Sequence, residues 1–205
     1  MDNKHDFILK VENESAISSL NRFVHRRFDR TTSVWTDCAE HNVLMFVMDG
    51  EAVCSLADIS GETVFHRKVT VLPKGMPFVM EFRSGCEVLT YSFDSYIPMD
   101  TSVYSDMLSD TQPDDDKPVA FDIPRVLNAE LVNVAHNIGS IRTNETLTYL
   151  SMRKVTALMQ KSMKPAQTSK LFAIGKSELG GEICRYMKML ENRVRLTKKP
   201  VNVEF

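Results

Sequence analysis

The run Val43-Leu44-Met45-Phe46-Val47-Met48-Asp49-Gly50 decides the fold class of this 205-residue chain. Its six consecutive apolar residues match the length of one fully buried strand and are too few to cross a bilayer. The Asp49-Gly50 pair that follows is a strong hairpin signal. The stretch therefore predicts a buried β-strand that turns directly into a second strand over residues 51–56.

Further short strands follow along the chain. Turn residues recur about every ten residues up to position 95, at Ser60-Gly61, at 72–77 and at Ser84-Gly85, as in all-β sandwiches and barrels. Residues 78–83 and 87–93 alternate apolar and polar side chains. Read as one apolar face, these strands predict a barrel lining of Leu44, Phe46, Met48, Phe78, Met80, Phe82, Leu89, Tyr91 and Phe93.

The hydrophobic period changes from two to 3.6 residues after Pro124, which suits a helix start. The spacing predicts a first helix that ends near Gly139. A second helix is capped by Asn144 and ended by Pro165, and a third covers residues 177–194. Strands followed by helices predict a mainly antiparallel β-barrel with helices after it, α+β overall.

Composition shifts suggest four segments. We expect a barrel domain over residues 1–109, a linker rich in proline and aspartate over 110–122, a helical segment over 123–164, and a basic helical tail over 165–205. Residues 1–150 carry 13 Lys and Arg against 23 Asp and Glu, whereas residues 151–205 carry 12 against 4. This asymmetry indicates either an interaction tail or two parts that attract each other.

The composition also excludes several classes of protein. A chain with 43% hydrophobic and 25% charged residues is neither disordered nor collagen-like, and four cysteines do not make a disulfide scaffold. The polar start of the chain shows no apolar signal core, so the expected location is the cytoplasm, with no membrane partner.

The short motifs in the sequence do not predict a metal site or a catalytic site. Cys38 and His41 form a C-x-x-H step, but no second pair completes a zinc site, so no metal is predicted. Asn13-Glu14-Ser15 matches a glycosylation signal that has no meaning in a cytoplasmic chain. No catalytic residue and no cofactor are predicted.

Two stretches together resemble a known family. Residues 43–51, followed by Val71-Leu72-Pro73-Lys74-Gly75-Met76-Pro77-Phe78, look like the strand, x-G-E and L-P-x-G-x-P pattern of cupin-like sensor domains. Ile123-Pro124 and the helix pair over 125–163 are similar to the amino-terminal half of AraC-type transcription regulators, especially those of Bacteroides-like bacteria. The resemblance covers residues 30–163.

The resemblance implies a metal-free jelly-roll barrel that senses a small-molecule effector, and helices that form a homodimer. It also implies a pair of helix-turn-helix units, for which residues 164–205 are too short. We therefore expect DNA contact only through a missing or downstream domain. Basic residues of the tail would bind phosphates without reading sequence; they are Arg185, Lys188, Arg193, Arg195, Lys198 and Lys199.

Candidate residues follow from this hypothesis. The ligand-binding candidates are Trp35, Phe46, Met48, Phe82 and Tyr91. The dimerisation candidates are Leu147, Leu150, Val155, Leu158 and Met159. Two alternatives stay open. One is a small cupin-type enzyme, metal-free or metal-dependent, with Glu51, His66, Glu81 and Arg83 as its polar candidates; the other is a structural protein-interaction module.

Overall fold

A computed structural model describes residues 10–36, 38–56, 62–94 and 119–173. The predicted third helix over 177–194 and the basic residues of the tail lie outside the described residues.

The described residues form two five-stranded sheets. Sheet I has the strand order β1-β3-β8-β5-β6 and sheet II the order β10-β7-β4-β9-β2. All pairings between the described strands are antiparallel except that of β1 with β3. The strands are β1 Lys10–Asn13, β2 Phe23–Arg27, β3 Thr32–Thr36, β4 Asn42–Asp49, β5 Ala52–Leu56, β6 Glu62–Phe65, β7 Lys68–Leu72, β8 Phe78–Phe82, β9 Glu87–Phe93 and β10 Ala120–Asp122.

The first of two cores is shared by the two sheets. Because successive side chains of a strand point to opposite faces, Val43, Met45 and Val47 of β4 belong to this core together with Met80 and Phe82 of β8. Phe28 stacks on Phe82 with ring centroids 4.4 Å apart. The barrel interior is therefore filled by side chains.

The second core lies between sheet II and the helices. These are α1 Arg125–His136, α2 Ile138–Arg142, α3 Glu145–Ser162 and α4 Pro165–Ala173. The other face of β4 and β9 packs there against buried side chains of the helices, so β4 is buried on both faces. The members contributed by sheet II are Phe23, Leu44, Phe46, Met48, Val69, Val71, Leu89, Tyr91 and Phe93.

The predicted barrel lining is therefore wrong for six of its nine residues. Phe78, Met80 and Phe82 face the core between the sheets, as expected. The others belong to the core beneath the helices; they are Leu44, Phe46, Met48, Leu89, Tyr91 and Phe93. A strand buried on both faces reads as continuously apolar, so the sequence of β4 does not indicate which face is inside.

The predicted hairpin at Asp49-Gly50 is also wrong. β4 pairs with β7 and β9 in sheet II, whereas β5 pairs with β6 and β8 in sheet I. Gly50, with a φ of +70°, marks the corner where the chain passes from one sheet to the other. The chain changes sheet in the same way at Arg67, between β6 and β7, where φ is +51°.

The helix ends depart from the prediction in two places. The first helix ends at His136, and Gly139 lies inside the short helix α2. Pro165 starts α4, a position where its missing N–H costs nothing. The cap is confirmed: the side chain of Asn144 accepts a hydrogen bond from the backbone N–H of Leu147 at 3.1 Å.

The fold class is confirmed: a mainly antiparallel β-body of two facing sheets, the jelly-roll arrangement of cupins, is followed by helices. Residues 120–122, the end of the predicted linker, form β10 and pair with β7. The division into four segments stays a prediction.

Candidate functional site

A pocket of about 470 Å³ lies beside Trp35, at the end of β3. Its volume is within the range of small-molecule sites. Trp35 is 44% exposed, whereas its neighbour Val34 is fully buried. The walls come from the end of β1, the turn after it and the loop between β3 and β4; the lining residues are Asn13, Glu14, Ser18, Ser19, Trp35, Thr36, Cys38, Glu40 and His41.

The parallel pairing of β1 with β3 brings Glu14 to this pocket. Asn13 pairs with Trp35, and Glu14 begins the 3-10 turn Glu14–Ala16 directly after it. The Glu14 side chain is buried, with 7% exposure. Its Oε2 accepts a hydrogen bond from the backbone N–H of Glu40 at 3.2 Å, but no described residue donates to its Oε1.

An unpaired buried oxygen of this kind costs on the order of 1–3 kcal/mol. Buried polar groups in native proteins are satisfied as a rule, and an exception calls for a physical reason such as a bound molecule. Glu14 is therefore the chemically distinctive residue of the pocket.

His41 links the pocket to the end of β9. Its Nδ1 lies 2.8 Å from Oδ1 of Asp94, and Nζ of Lys74 lies 3.6 Å from the same oxygen. The hydrogen bond with His41 is the main reason why the pKa of Asp94 is lowered, and the charge of Lys74 adds to it. His41, which lines the pocket, is thus engaged with a carboxylate.

The loop that carries Cys38 and Glu40 is held by backbone hydrogen bonds. The N–H of Ala39 donates to the carbonyl of Met76 at 3.2 Å, and the N–H of Gly75 donates to the carbonyl of Ala39 at 2.9 Å. The L-P-x-G-x-P segment noted in the sequence therefore supports the wall of the pocket.

The cysteines of the described residues have different environments. Cys38 is exposed at the pocket, whereas Cys54 and Cys86 are buried. Burial raises the pKa of each of these two thiols to about 12, and for Cys86 the nearby carboxylates add to the effect.

The structure does not bring the five ligand-binding candidates together. Trp35 lines the pocket. Phe82 lies in the core between the sheets, and Phe46, Met48 and Tyr91 lie beneath the helices, where burial raises the pKa of Tyr91. Their role in ligand binding stays a prediction.

The five dimerisation candidates divide between two faces of α3. Leu147 and Leu150 are 41% and 53% exposed. Val155 and Met159 are fully buried against sheet II and the neighbouring helices, and Leu158 is half-buried beside them. Only the first two present a face to a second copy of the chain, and the dimer itself stays a prediction.

The polar residues weighed for an enzyme lie away from the pocket. Arg83 forms an ion pair with Glu51, and Nδ1 of His66 lies 2.7 Å from the carbonyl oxygen of Gly50. Glu81 pairs with Ser33 in sheet I. Within the described ranges no three His, Cys, Asp or Glu side chains are grouped so as to hold a metal ion.

Sequence reasoning found Trp35 but missed Glu14, which it met only inside a glycosylation match. A carboxylate in a turn carries no periodic signal, and neither the 3-10 turn nor the parallel β1–β3 pair was predicted. The register of Asn13 with Trp35 is the feature that joins them, and register across a non-hairpin pair is a tertiary property.

Among the residues that the structure describes, no helix is long and apolar enough to span a membrane.

No protein-family model and no curated protein matches the chain. Among solved structures it is similar to apo ToxT from Vibrio cholerae, with 9% identity, a TM-score of 0.48, and coverage of 75% of this chain and 61% of the other. Fatty-acid-bound ToxT has 10% identity and a TM-score of 0.41, with coverage of 71% of this chain and 55% of the other. A cupin-2 domain protein from Shewanella frigidimarina has 18% identity and a TM-score of 0.27, with coverage of 33% of this chain and 63% of the other. The chain thus spans less than two thirds of the length of each.

Proposed function

We propose that this chain is a regulatory module that senses a small effector and forms a homodimer, as in an AraC-type transcription regulator. It acts in the cytoplasm without catalysing a reaction, and it reaches DNA only through another domain. The observation that carries the proposal is the shared core of sheet II and the helices. The resemblance of residues 30–163 to such regulators supports it.

The shared core couples the β-body to the helices. Phe46 and Tyr91 of sheet II and Leu131 and Met159 of the helices belong to one buried cluster. Close-packed interiors transmit displacements, because side chains have few alternative positions. A shift of β4 or β9 therefore changes the position of α1 and α3.

The pocket beside Trp35 connects to the same core through β4. His41 lines the pocket and directly precedes β4, where Asn42 is held by Asp94 and Lys74. Leu44 and Phe46 follow in the core beneath the helices. A ligand in the pocket that favours one position of His41 would bias the helices, and its effect is limited to its difference in affinity for the two positions.

The outer face of α3 supplies the surface for a second copy. Leu147 and Leu150 are exposed on it, and Val126 of α1 is 61% exposed. Nζ of Lys154 lies 2.6 Å from a carboxylate oxygen of Glu130, which fixes α3 against α1. Apolar side chains on a rigid helix pair, rimmed by charge, are typical of an oligomer interface.

A fusion experiment tests this function. The full chain is joined to a monomeric DNA-binding domain that binds its operator tightly only as a dimer, and repression of a reporter is measured. The fusion is expected to repress, and Leu150→Asp is expected to abolish repression because a buried unpaired charge opposes association.

Tyr149→Asp is the matched control, since Tyr149 is 45% exposed on the same helix but about 100° around it from Leu150. This control is expected to repress normally. A wild-type fusion that fails to repress, or one in which both variants repress equally well, would contradict the dimerising function.

A further inference from the structure

We propose that the pocket beside Trp35 is a binding site for a small cation that carries N–H groups, an ammonium or a guanidinium, held between the indole ring and the carboxylate of Glu14. The proposal rests on the proposed sensing function in that it names the class of effector for the same pocket, but binding at the site would exist whether or not the chain dimerises.

The first argument is the unsatisfied carboxylate. Glu14 is 7% exposed and lines the pocket, and its Oε1 has no hydrogen-bond donor among the described residues. Buried charges in proteins are paired or ligated. Oε1 is itself shielded from solvent, so binding requires the Glu14 side chain to turn toward the pocket, where an N–H cation supplies both the missing donor and the missing charge.

The second argument is the charge of the walls. Among the described residues that line the pocket are two carboxylates, of Glu14 and Glu40, and no Lys or Arg. Its histidine, His41, is engaged by Asp94. Anions are therefore opposed here, whereas cations are attracted.

The third argument is the indole ring. Trp35 lines the same pocket and is partly exposed, and tryptophan is the best of the aromatic side chains for cation–π contact. A neutral sugar can also stack on indole, but it leaves the charge of Glu14 uncompensated.

Trp35 is the only tryptophan in the sequence, so its fluorescence reports the pocket directly. The full chain is titrated with cadaverine and agmatine. The matched neutral probe is 1,5-pentanediol, and tetramethylammonium is a cation without N–H. Saturable fluorescence changes are expected with cadaverine or agmatine only. The Glu14→Gln variant is expected to bind these amines with an affinity roughly tenfold lower or more, since hydrogen bonds to charged groups are worth about 1.5–3 kcal/mol.

Glu62→Gln is the control variant, because Glu62 is exposed on the edge strand of sheet I that lies opposite β1. It is expected to bind as the wild type does. Should Glu14→Gln fail to fold, Glu40→Gln is expected to weaken binding in the same direction. The proposal is overturned if neither amine gives a saturable change up to about 10 mM, if the diol binds as tightly as the amines, or if the Glu14→Gln variant binds them unchanged.

Discussion

Gly50 shows how one residue determines the path of the chain between the sheets. Its φ of +70° is costly for other residues, and a Cβ placed there would lie 2.6 Å from the Cα of Cys86. Asp49-Gly50 was correctly predicted as a sharp turn. The close approach to Cys86 is a tertiary contact that the sequence does not indicate, so the Asp-Gly pair alone predicts a hairpin.

We expect Gly50→Ala to lower the free energy of unfolding more than Gly75→Ala does. Both residues have positive φ, but nothing lies within 4 Å of a Cβ at Gly75. The two variants therefore share the conformational cost, and the contact with Cys86 adds about 1–3 kcal/mol at Gly50 only. Urea denaturation measures both, and equal losses would contradict the close contact.

Thiol reactivity tests the environments of the cysteines. In a Cys184→Ser protein, which leaves only the three described thiols, we expect Cys38 alone to react rapidly with Ellman's reagent at pH 8. A pKa of about 12 leaves Cys54 and Cys86 almost entirely as unreactive thiols. Cys54 and Cys86 react only on unfolding. Three thiols that react together in the native protein would refute this.

At the scale of elements, the sequence predicts features that depend on local signals, such as helix starts, but it does not predict which strands pair. Asn144 predicted a helix start because its side chain caps the backbone of the next turn, a contact within four residues. β1, β2 and β10 were missed, since they are held by partners distant in sequence. Pro165 predicts a helix end but begins α4, because proline suits the first turn of a helix as well as the position after one.

The cap of α3 gives a prediction at this scale. We expect Asn144→Ala to lower the free energy of unfolding by about 1 kcal/mol, since the N–H of Leu147 loses its acceptor. Asn144→Ser keeps an acceptor and is expected to lose much less. Thermal or urea unfolding of the two variants decides the point, and equal destabilisation would show that the cap does not contribute.

At the scale of the whole molecule, the helices and the β-body are joined by a core that the sequence did not reveal. The apolar positions of α1 and α3 are recognisable by their period, but the sequence predicts a dimer seam for those of α3 and does not predict packing on sheet II. A helical pattern shows that one face is buried without showing what covers it. Val155 and Met159 illustrate this, because both are buried within one copy of the chain.

The shared core predicts a single cooperative unfolding transition. Trp35 lies on sheet I, and the helices pack on sheet II, so tryptophan fluorescence and far-UV circular dichroism at 222 nm report opposite sides of the molecule. We expect the two urea curves to coincide. Leu131→Ala, in the shared core, is expected to shift both unfolding curves to lower urea concentration by the same amount. The free energy of unfolding is expected to fall by about 2–5 kcal/mol. Helices that melt separately from the β-body would contradict the coupling.

The central claim is that this coupled body associates through the exposed face of α3, and sedimentation equilibrium of the full chain tests it most directly. One chain weighs 23.3 kDa. The account predicts twice this mass for the wild type and for Tyr149→Asp at micromolar concentration, and the mass of one chain for Leu150→Asp. A wild-type protein that keeps the mass of a single chain at every concentration, or a Leu150→Asp variant that remains a dimer, would contradict it.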